Sequence, residues 1–330
     1  MHYPSEPDIL ARADDIRSKV ARAKDSISRV IFGQDNVIEL VLVNILSGGH
    51  ALLIGVPGLA KTSLVEALGA ALGLNSKRIQ FTPDLMPSDI VGTEVLEEKA
   101  GLRSFRFVEG PVFTQLLMAD EINRASPKTQ SALLQAMQER QVTYAGQTYA
   151  LPSPFFVLAT QNPLEQEGTY PLPEAQLDRF LMQIDVTYPD AVAERRMLFS
   201  TTGLEERRVQ QVLTAEEVMA AQRSVRQIPT GDSVADAILK LVRSARPQTD
   251  EAAWRVNELV AWGPGPRASQ ALTMTARARA LLDGRFAPDV DDVIALAKPV
   301  LRHRMALTFT ARTENITVDQ VIDELIARLR

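Results

Sequence analysis

A glycine-rich segment of the chain ends in a lysine followed by a hydroxyl residue. It reads Gly55-Val56-Pro57-Gly58-Leu59-Ala60-Lys61-Thr62 and fits the P-loop spacing G-x-x-x-x-G-K-[ST] at every position except Ala60. In such a loop the main-chain N–H groups and the N-terminus of the following helix surround phosphates. Lys61 would reach the outer phosphates, and the Thr62 hydroxyl would bind Mg²⁺.

Ala60 occupies the position where the general pattern has glycine. If the backbone there requires a positive φ, alanine costs about 1 kcal/mol or more relative to glycine. The motif alone therefore also allows an ordinary turn before a helix, with a solvated lysine.

Two adjacent carboxylates, Asp120 and Glu121, follow the apolar run Leu116–Ala119. If that run is a buried strand, its carboxyl end lies at the ligand-binding edge of a parallel sheet, beside the P-loop. Asp120 could then hold Mg²⁺ through water, and Glu121 could polarise an attacking water. Two carboxylates could also simply solvate a strand end, but with Lys61 and Thr62 they complete a set for phosphoryl transfer.

Later polar residues could complete this chemistry. Asn162 ends the next predicted strand, where its amide could orient water, although Asn-Pro also initiates turns. Arg179 could stabilise phosphoryl charge across a subunit interface, or it could pair with Asp178. Arg124 is a competing candidate for that role. Arg267 opens a predicted helix and could reach the nucleotide from a helical region.

Strands and helices alternate up to about residue 189. Predicted strands cover Ala51–Ile54, Ile79–Phe81, Leu116–Ala119, Phe155–Ala159 and Leu181–Val186, and predicted helices cover 8–30, Asp35–Leu46 (capped by Asp35), Ser63–Leu72 and Lys128–Arg140. This alternation favours an α/β fold with a parallel five-stranded sheet covered on both faces. Val95–Phe107 and Val142–Tyr149 are typical of inserted β-hairpins, and insertions often carry function.

Helical patterns dominate from Asp190 onward. They cover Ala193–Thr201, Ala215–Val225, Ser233–Ala245, Ala268–Leu282, Val290–Leu301 and Val318–Leu329. Tyr188-Pro189-Asp190 is typical of a linker, so we predict an α/β domain over residues 1–189 and an all-α domain over 190–330.

Composition excludes several classes of site. The chain has no cysteine, which excludes disulfides and zinc–thiolate sites, and its three histidines lie far apart without metal-ligand spacing. The net charge of −5 comes from mixed acidic and basic residues, unlike the basic patch of a nucleic-acid binder. No signal peptide or membrane-length apolar run is present in the sequence, so we expect a soluble, cytoplasmic protein.

Five motifs in order resemble the MoxR family of AAA+ ATPases. They are Gly-Val-Pro-Gly-Leu-Ala-Lys-Thr, Asp-Glu-Ile-Asn-Arg-Ala, Ala-Thr-Gln-Asn-Pro, Glu-Ala-Gln-Leu-Asp-Arg-Phe and Gly-Pro-Arg-Ala. The resemblance extends from Gly33-Gln34 to about Arg304, and it includes Ala60, because that family commonly has Ala-Lys-Thr at this point. It implies a P-loop NTPase core followed by a helical lid.

The resemblance also implies a site for ATP or ADP with Mg²⁺. Nucleotide contacts are expected at Phe32, Gly33 and Gln34 near the adenine, at Pro57, Gly58, Leu59, Ala60, Lys61, Thr62 and Ser63, and at Arg267 as sensor 2. Catalytic roles are expected for Lys61, Glu121, Asn162 as sensor 1 and Arg179 as the arginine finger, and Mg²⁺ is expected at Thr62 and Asp120.

The implied assembly is a hexameric ring that remodels or activates proteins, with a partner that bears a von Willebrand factor A domain. The two hairpins would line its central opening. A nucleic-acid motor related to helicases and a nucleotide-gated structural subunit are the alternatives. Acidic residues balance the basic ones in the first hairpin and the second has no charge, which disfavours nucleic acid. Glu121 argues against a subunit that does not hydrolyse.

Overall fold

A central parallel sheet organises the first part of the molecule. The computed structural model describes residues 6–99, 102–165, 168–201 and 208–329. Within these ranges five parallel strands pair in the order β2-β5-β8-β1-β9. Their bounds are β1 Ala51–Ile54, β2 Ser76–Gln80, β5 Leu116–Asp120, β8 Phe156–Gln161 and β9 Met182–Asp185. The predicted α/β class and the five-stranded sheet are confirmed.

Helices and two hairpins fill the connections between these strands. The helices are α1 Glu6–Ser28, α2 Asp35–Leu46, α3 Lys61–Leu72, α4 Pro87–Val91, α5 Pro127–Glu139 and α6 Glu174–Leu177. The hairpins pair β3 Gly92–Lys99 with β4 Leu102–Glu109, and β6 Gln141–Tyr144 with β7 Gln147–Ala150. Both hairpins were predicted. Asp35, predicted as the cap of α2, is instead its first residue, because Gln34 occupies the capping position.

Strand β2 differs from the sequence prediction of Ile79–Phe81. It begins three residues earlier and includes the polar residues Ser76, Lys77 and Arg78. These residues pair with the fully buried strand β5 at the edge of the sheet. Hydrophobic patterning missed them because an edge strand is formed by main-chain pairing and keeps part of its side-chain surface in water.

The second part of the chain is helical, as predicted. Its helices are α7 Ala191–Thr201, α8 Ala215–Gln227, α9 Asp232–Ser244, α10 Val256–Leu259, α11 Pro266–Leu282, α12 Val290–Leu301, α13 Phe309–Thr313 and α14 Val318–Ile326. A short antiparallel pair, β10 Val260–Trp262 with β11 Ala306–Leu307, was not predicted, because strands of two or three residues show no periodicity. The domain boundary at 189/190 stays a prediction.

Alternate residues of each strand face opposite layers of the molecule. Leu53, Met118 and Leu158 pack with α1, α2, α3 and the helices of the second part in one continuous core. Leu52 and Leu117 on the opposite face pack with α4 and α5 in a second core. Helix α11 contacts α2, and α12 contacts β9. The helical part therefore packs on the α1–α3 face and beside β9.

A buried carboxylate anchors the helical part. The Asp292 side chain is 2% exposed at the N-terminus of α12, where its two oxygens accept bonds of 2.7 and 2.6 Å from Arg285. It also accepts the main-chain N–H of Asp289 at 2.9 Å, which closes a capping box. Arg285 reaches a second carboxylate, Asp283, whose side chain is half exposed.

We expect Asp292→Ala to lower the free energy of unfolding by about 3 kcal/mol, because it removes a buried charged partner and one half of the capping box. Asp283→Ala, which removes one of the exposed partners of the same arginine, should cost only about 0.5 kcal/mol. Urea denaturation followed by far-UV circular dichroism measures both. Equal losses in the two variants would contradict the assigned role of Asp292.

Candidate nucleotide-binding site

One cleft at the carboxyl edge of the sheet collects most of the predicted site residues. It has a volume of about 450 Å³, within the range of small-molecule sites. One wall is the loop Pro57–Ser63, and Asp120, Glu121 and Asn162 contribute another. The sequence prediction required Lys61 and Asp120 to share a cleft, and they do. Strands β1, β5 and β8 bring them together because all three end at this edge.

The loop after β1 has the backbone of a phosphate cradle. Gly58 has φ of +84°, and a Cβ added there would meet nothing within 4 Å, so the space beside it is open. Ala60 has φ of 55° and precedes the first residue of α3. The position thus has the positive φ at which alanine costs about 1–2 kcal/mol. Strain of this kind persists where the surrounding structure enforces it, and it occurs often at functional sites.

Lys61 is half buried at the base of this loop. Its Nζ donates to the carbonyl oxygens of Gly55 at 2.5 Å and Val56 at 2.9 Å. Burial lowers the pKa of Lys61 below its ordinary value, and the negative charges of Asp120 and Glu121 oppose that shift. An ammonium group that is partly desolvated and faces two carboxylates is well placed to bind an anion between them.

Asp120 is held from two neighbouring strands. The hydroxyl of Thr160 on β8 donates to Oδ1 at 2.5 Å, and Arg78 on β2 donates to Oδ2 through Nε at 3.1 Å and Nη2 at 2.5 Å. Sequence reasoning missed both residues. Arg78 faces Met118 in the register, two residues before Asp120, so the alternation of β2 could have placed it on the same face.

Glu121 turns sharply away from the end of β5. Its φ is 55°, and its main-chain N–H donates to the hydroxyl of Thr160 at 2.9 Å. Its Oε2 accepts bonds from Nε2 of Gln80 at 2.6 Å and from Nη1 of Arg124 at 3.0 Å. Gln80 was missed by sequence reasoning, and Arg124 pairs with the glutamate of its own chain. The strained backbone aims the carboxylate into the cleft beside Lys61.

Asn162 lies just past β8 and is 5% exposed. Its Oδ1 accepts the main-chain N–H of Leu164 at 3.1 Å, which fixes the side chain. Its amide nitrogen remains a potential donor to a ligand in the cleft. Sequence analysis offered a turn and a position in the cleft as alternatives for Asn162. The structure contains both.

Phe32, Gly33 and Gln34 do not line the cleft in the part of the chain that the structure describes. Nε2 of Gln34 donates to the carbonyl of Thr187 at 2.8 Å. Gly33 has φ of +69°, and a Cβ there would lie 2.6 Å from the Cβ of Ala193, so only glycine fits. This segment packs against the linker and α7.

A second cavity of about 340 Å³ contains Arg179 and Arg267, away from the P-loop. Arg267 does not line the P-loop cleft of its own chain, and its contact with nucleotide stays a prediction. The helical part docks on the α1–α3 face, and this places Arg267 3.4 Å from Asp178. Arg179 donates to the carbonyl of Leu134 at 2.8 Å, whereas Asp178 pairs with Arg304 at 2.8 Å rather than with Arg179.

The residues of the first cleft suit a magnesium–phosphate complex better than an all-protein metal site. Among the described residues no group of three or more His, Asp or Glu side chains could hold a metal by itself. Mg²⁺ commonly binds one or two protein ligands together with substrate phosphates and waters. Thr62 and Asp120 beside an open phosphate loop fit that pattern.

No helix in the described ranges is long and apolar enough to cross a membrane.

Comparisons with known proteins agree with this geometry. Residues 50–182 match the model of the ATPase family associated with various cellular activities (AAA), and residues 252–325 match the AAA lid domain. A crystal structure of a candidate ATPase from Cytophaga hutchinsonii superposes with a TM-score of 0.89 at 38% identity, covering 96% of both chains. The match spans the sheet and the helical part together.

Curated relatives specify the family further. Chaperone MoxR1 of Mycobacterium tuberculosis is 43% identical over 92% of this chain and 80% of its own length. Uncharacterized protein YeaC of Bacillus subtilis is 40% identical over 97% of each chain, and protein MoxR of Methylorubrum extorquens is 32% identical over 90% of each. With its P-loop cleft, five-stranded sheet and helical lid, this chain belongs to the MoxR family of AAA+ ATPases.

Proposed function

We propose that this ATPase hydrolyses Mg²⁺-bound ATP at sites completed between the subunits of a hexameric ring, and that it uses the cycle to remodel or activate client proteins. The convergence of Lys61, Thr62, Asp120 and Glu121 on one cleft carries the catalytic part of this proposal. Adenine would lie toward Phe32–Gln34, beyond the residues that line this cleft.

Each cleft residue has a role that its contacts support. Residues Pro57–Ser63 bind the phosphates, and Lys61 exchanges its two loop carbonyls for phosphate oxygens. Thr62 and Asp120 hold Mg²⁺, which neutralises charge on the phosphates. Glu121 polarises the attacking water, and Asn162 orients it or donates to the γ-phosphate.

The second cavity supports completion of the site by a neighbouring subunit. Arg179, Arg267 and Arg304 line it with Asp178, while the P-loop lies in the separate first cleft. Arg304 is buried and donates to Asp178, whereas Arg267 lies 3.4 Å from the same carboxylate but is mostly exposed, so Arg179 and Arg267 are the better candidates to bind phosphate from another chain. Arg124 is the weaker candidate for the trans-acting arginine, because it already pairs with Glu121 of its own chain.

The first hairpin favours a protein client over nucleic acid. Its apolar side chains Leu96 and Phe105 are 51% and 71% exposed. Its two arginines are paired, since Arg103 contacts Glu98 at 3.2 Å and Arg106 contacts Glu97 at 2.5 Å. An exposed apolar surface with neutralised cations suits a polypeptide better than phosphates. Chaperone MoxR1 is a relative, and the family suggests a partner with a von Willebrand factor A domain.

We expect Glu121→Gln to retain ATP binding and to reduce turnover by about 10²–10⁴-fold, because the amide cannot polarise water. Titration with a fluorescent ATP analogue measures binding, and phosphate release measures turnover. Lys61→Ala, which removes the phosphate-binding cation, should instead abolish binding. A normal rate of hydrolysis by Glu121→Gln would refute the role assigned to this carboxylate.

We expect Arg179→Ala and Glu121→Gln to be inactive separately and to recover activity when the two variants are mixed before assembly. In mixed rings, some sites combine an intact Glu121 with an intact Arg179 from the neighbour. A mixture of Glu121→Gln with Lys61→Ala is the control and should stay inactive, because each variant damages the same half of the site. If the first mixture also stays inactive, Arg124 or a role within one subunit is favoured.

We expect single-stranded DNA neither to stimulate ATP hydrolysis nor to bind with a strong salt dependence, because both arginines of the first hairpin are paired with glutamates. Phosphate release with and without oligonucleotide, and fluorescence anisotropy over a range of salt concentrations, measure the two properties. Stimulation together with salt-sensitive binding would support the nucleic-acid motor instead.

A further inference from the structure

The segment Asp178–Leu181 connects α6 to β9 and contains Arg179. Side chains of the helical part, which is the lid of the AAA+ fold, hold this segment from one side. Arg304, in the 3₁₀ turn Arg302–Arg304 after α12, donates through Nε to the carboxylate of Asp178 at 2.8 Å. Its Nη2 donates to the carbonyl of Phe180 at 2.7 Å, and its Nη1 donates to the carbonyl of Leu181 at 3.1 Å. One lid residue therefore fixes the segment at three points.

Arg304 is buried as deeply as a core residue. It is 2% exposed, and its Nη1 also donates to the carbonyl of Val300 on α12 at 2.5 Å, which ties the guanidinium to the helix that carries it. Burial lowers the pKa of Arg304, and the charge of Asp178 opposes that shift. A planar guanidinium can satisfy several acceptors in one fixed geometry, whereas a lysine offers a single flexible point charge.

Two further lid contacts reach the same segment. Nε2 of His303 lies 3.0 Å from the carbonyl oxygen of Phe180, and Arg267 lies 3.4 Å from Asp178. The core side also holds the segment: the main-chain N–H groups of Asp178, Arg179 and Phe180 donate to carbonyls of α6, the N–H of Leu181 donates to the carbonyl of His50, and Arg179 itself donates to Leu134. The contacts from the helical part converge on Asp178 and Phe180, the two residues that flank Arg179, so the position of Arg179 depends on both parts of the chain.

We propose that Arg304 and Asp178 form a positioning pair that sets where Arg179 is presented to the ATP of the neighbouring subunit. This inference rests on the proposed trans role of Arg179. Neither residue of the pair lines the P-loop cleft of its own subunit. Its loss should therefore leave ATP binding by the same subunit intact and should damage hydrolysis in the next one.

The test compares two conservative lid variants. Arg304→Lys keeps the positive charge but loses the planar guanidinium group with its several donors. We expect it to lower kcat by at least about tenfold, because a misplacement of about 1 Å at a catalytic group costs on the order of 10²-fold in rate. Its affinity for a fluorescent ATP analogue should not change. Arg302→Lys is the matched control. Arg302 also joins the lid to the core, pairing with Asp319 at 2.6 Å and Asp185 at 2.5 Å, and it should leave kcat normal.

Mixed rings distinguish positioning from general damage. Arg304→Lys subunits keep Glu121 and the P-loop, so mixing them with Glu121→Gln subunits, which keep a well-placed Arg179, should restore hydrolysis. A normal kcat for Arg304→Lys, an equal loss in Arg302→Lys, or a loss that mixing does not restore would each overturn the inference. The same mixing with Arg179→Ala tests the trans role separately, since failure there points to the proposed function itself.

Folding is checked by circular dichroism before the rates are compared. If Arg304→Lys does not fold, Asp178→Asn serves as the second variant, because it keeps an acceptor for Arg304 while removing the charge that orients it. The expected results are the same: lower kcat, unchanged nucleotide affinity and rescue by Glu121→Gln subunits. Normal kcat in a folded Asp178→Asn protein would contradict the positioning role.

Discussion

The site depends on the convergence of parallel strands at one edge of the sheet. Strand β1 delivers the phosphate loop, β5 delivers Asp120, and β8 delivers Thr160 and Asn162. Because β5 and β1 flank β8, the lysine and the carboxylates face each other across one strand. The two carboxylates and the ammonium group oppose one another in a partly desolvated cleft, where electrostatic interactions are stronger than in water.

Neighbouring strands also supply the polar side chains that hold these carboxylates. Asp120 is fixed by Thr160 and Arg78, and Glu121 is fixed by Gln80 and by Thr160 through its main chain. Thr160 therefore contacts both acidic positions. Under the proposed mechanism, Arg78 would share the Asp120 carboxylate with the Mg²⁺ ion, so the placement of β2 would affect metal binding.

The sequence predicted those parts of the site that short-range spacing encodes. Lys61 and Thr62 begin the helix that follows β1, and Asp120 and Glu121 stand at the end of β5, so the alternation of strands and helices was enough to place them together. Arg78, Gln80 and Thr160 were missed because their roles depend on lateral register between strands. The location of Arg267 in the second cavity could not be derived from the sequence, because no local pattern states which face of the sheet the helical part will cover. The polar first half of β2 was missed for a similar reason, because that segment becomes a strand through its pairing with β5.

The continuous core that joins the helical part to one face of the sheet has a mechanical consequence. Side chains from α2, β1, α8, α11 and α12 share a single interior, so separating the two parts would expose a large apolar surface to water. A hinge between them is therefore energetically costly. In the proposed ring, the same cost would favour rearrangement between neighbouring subunits over rearrangement within one of them.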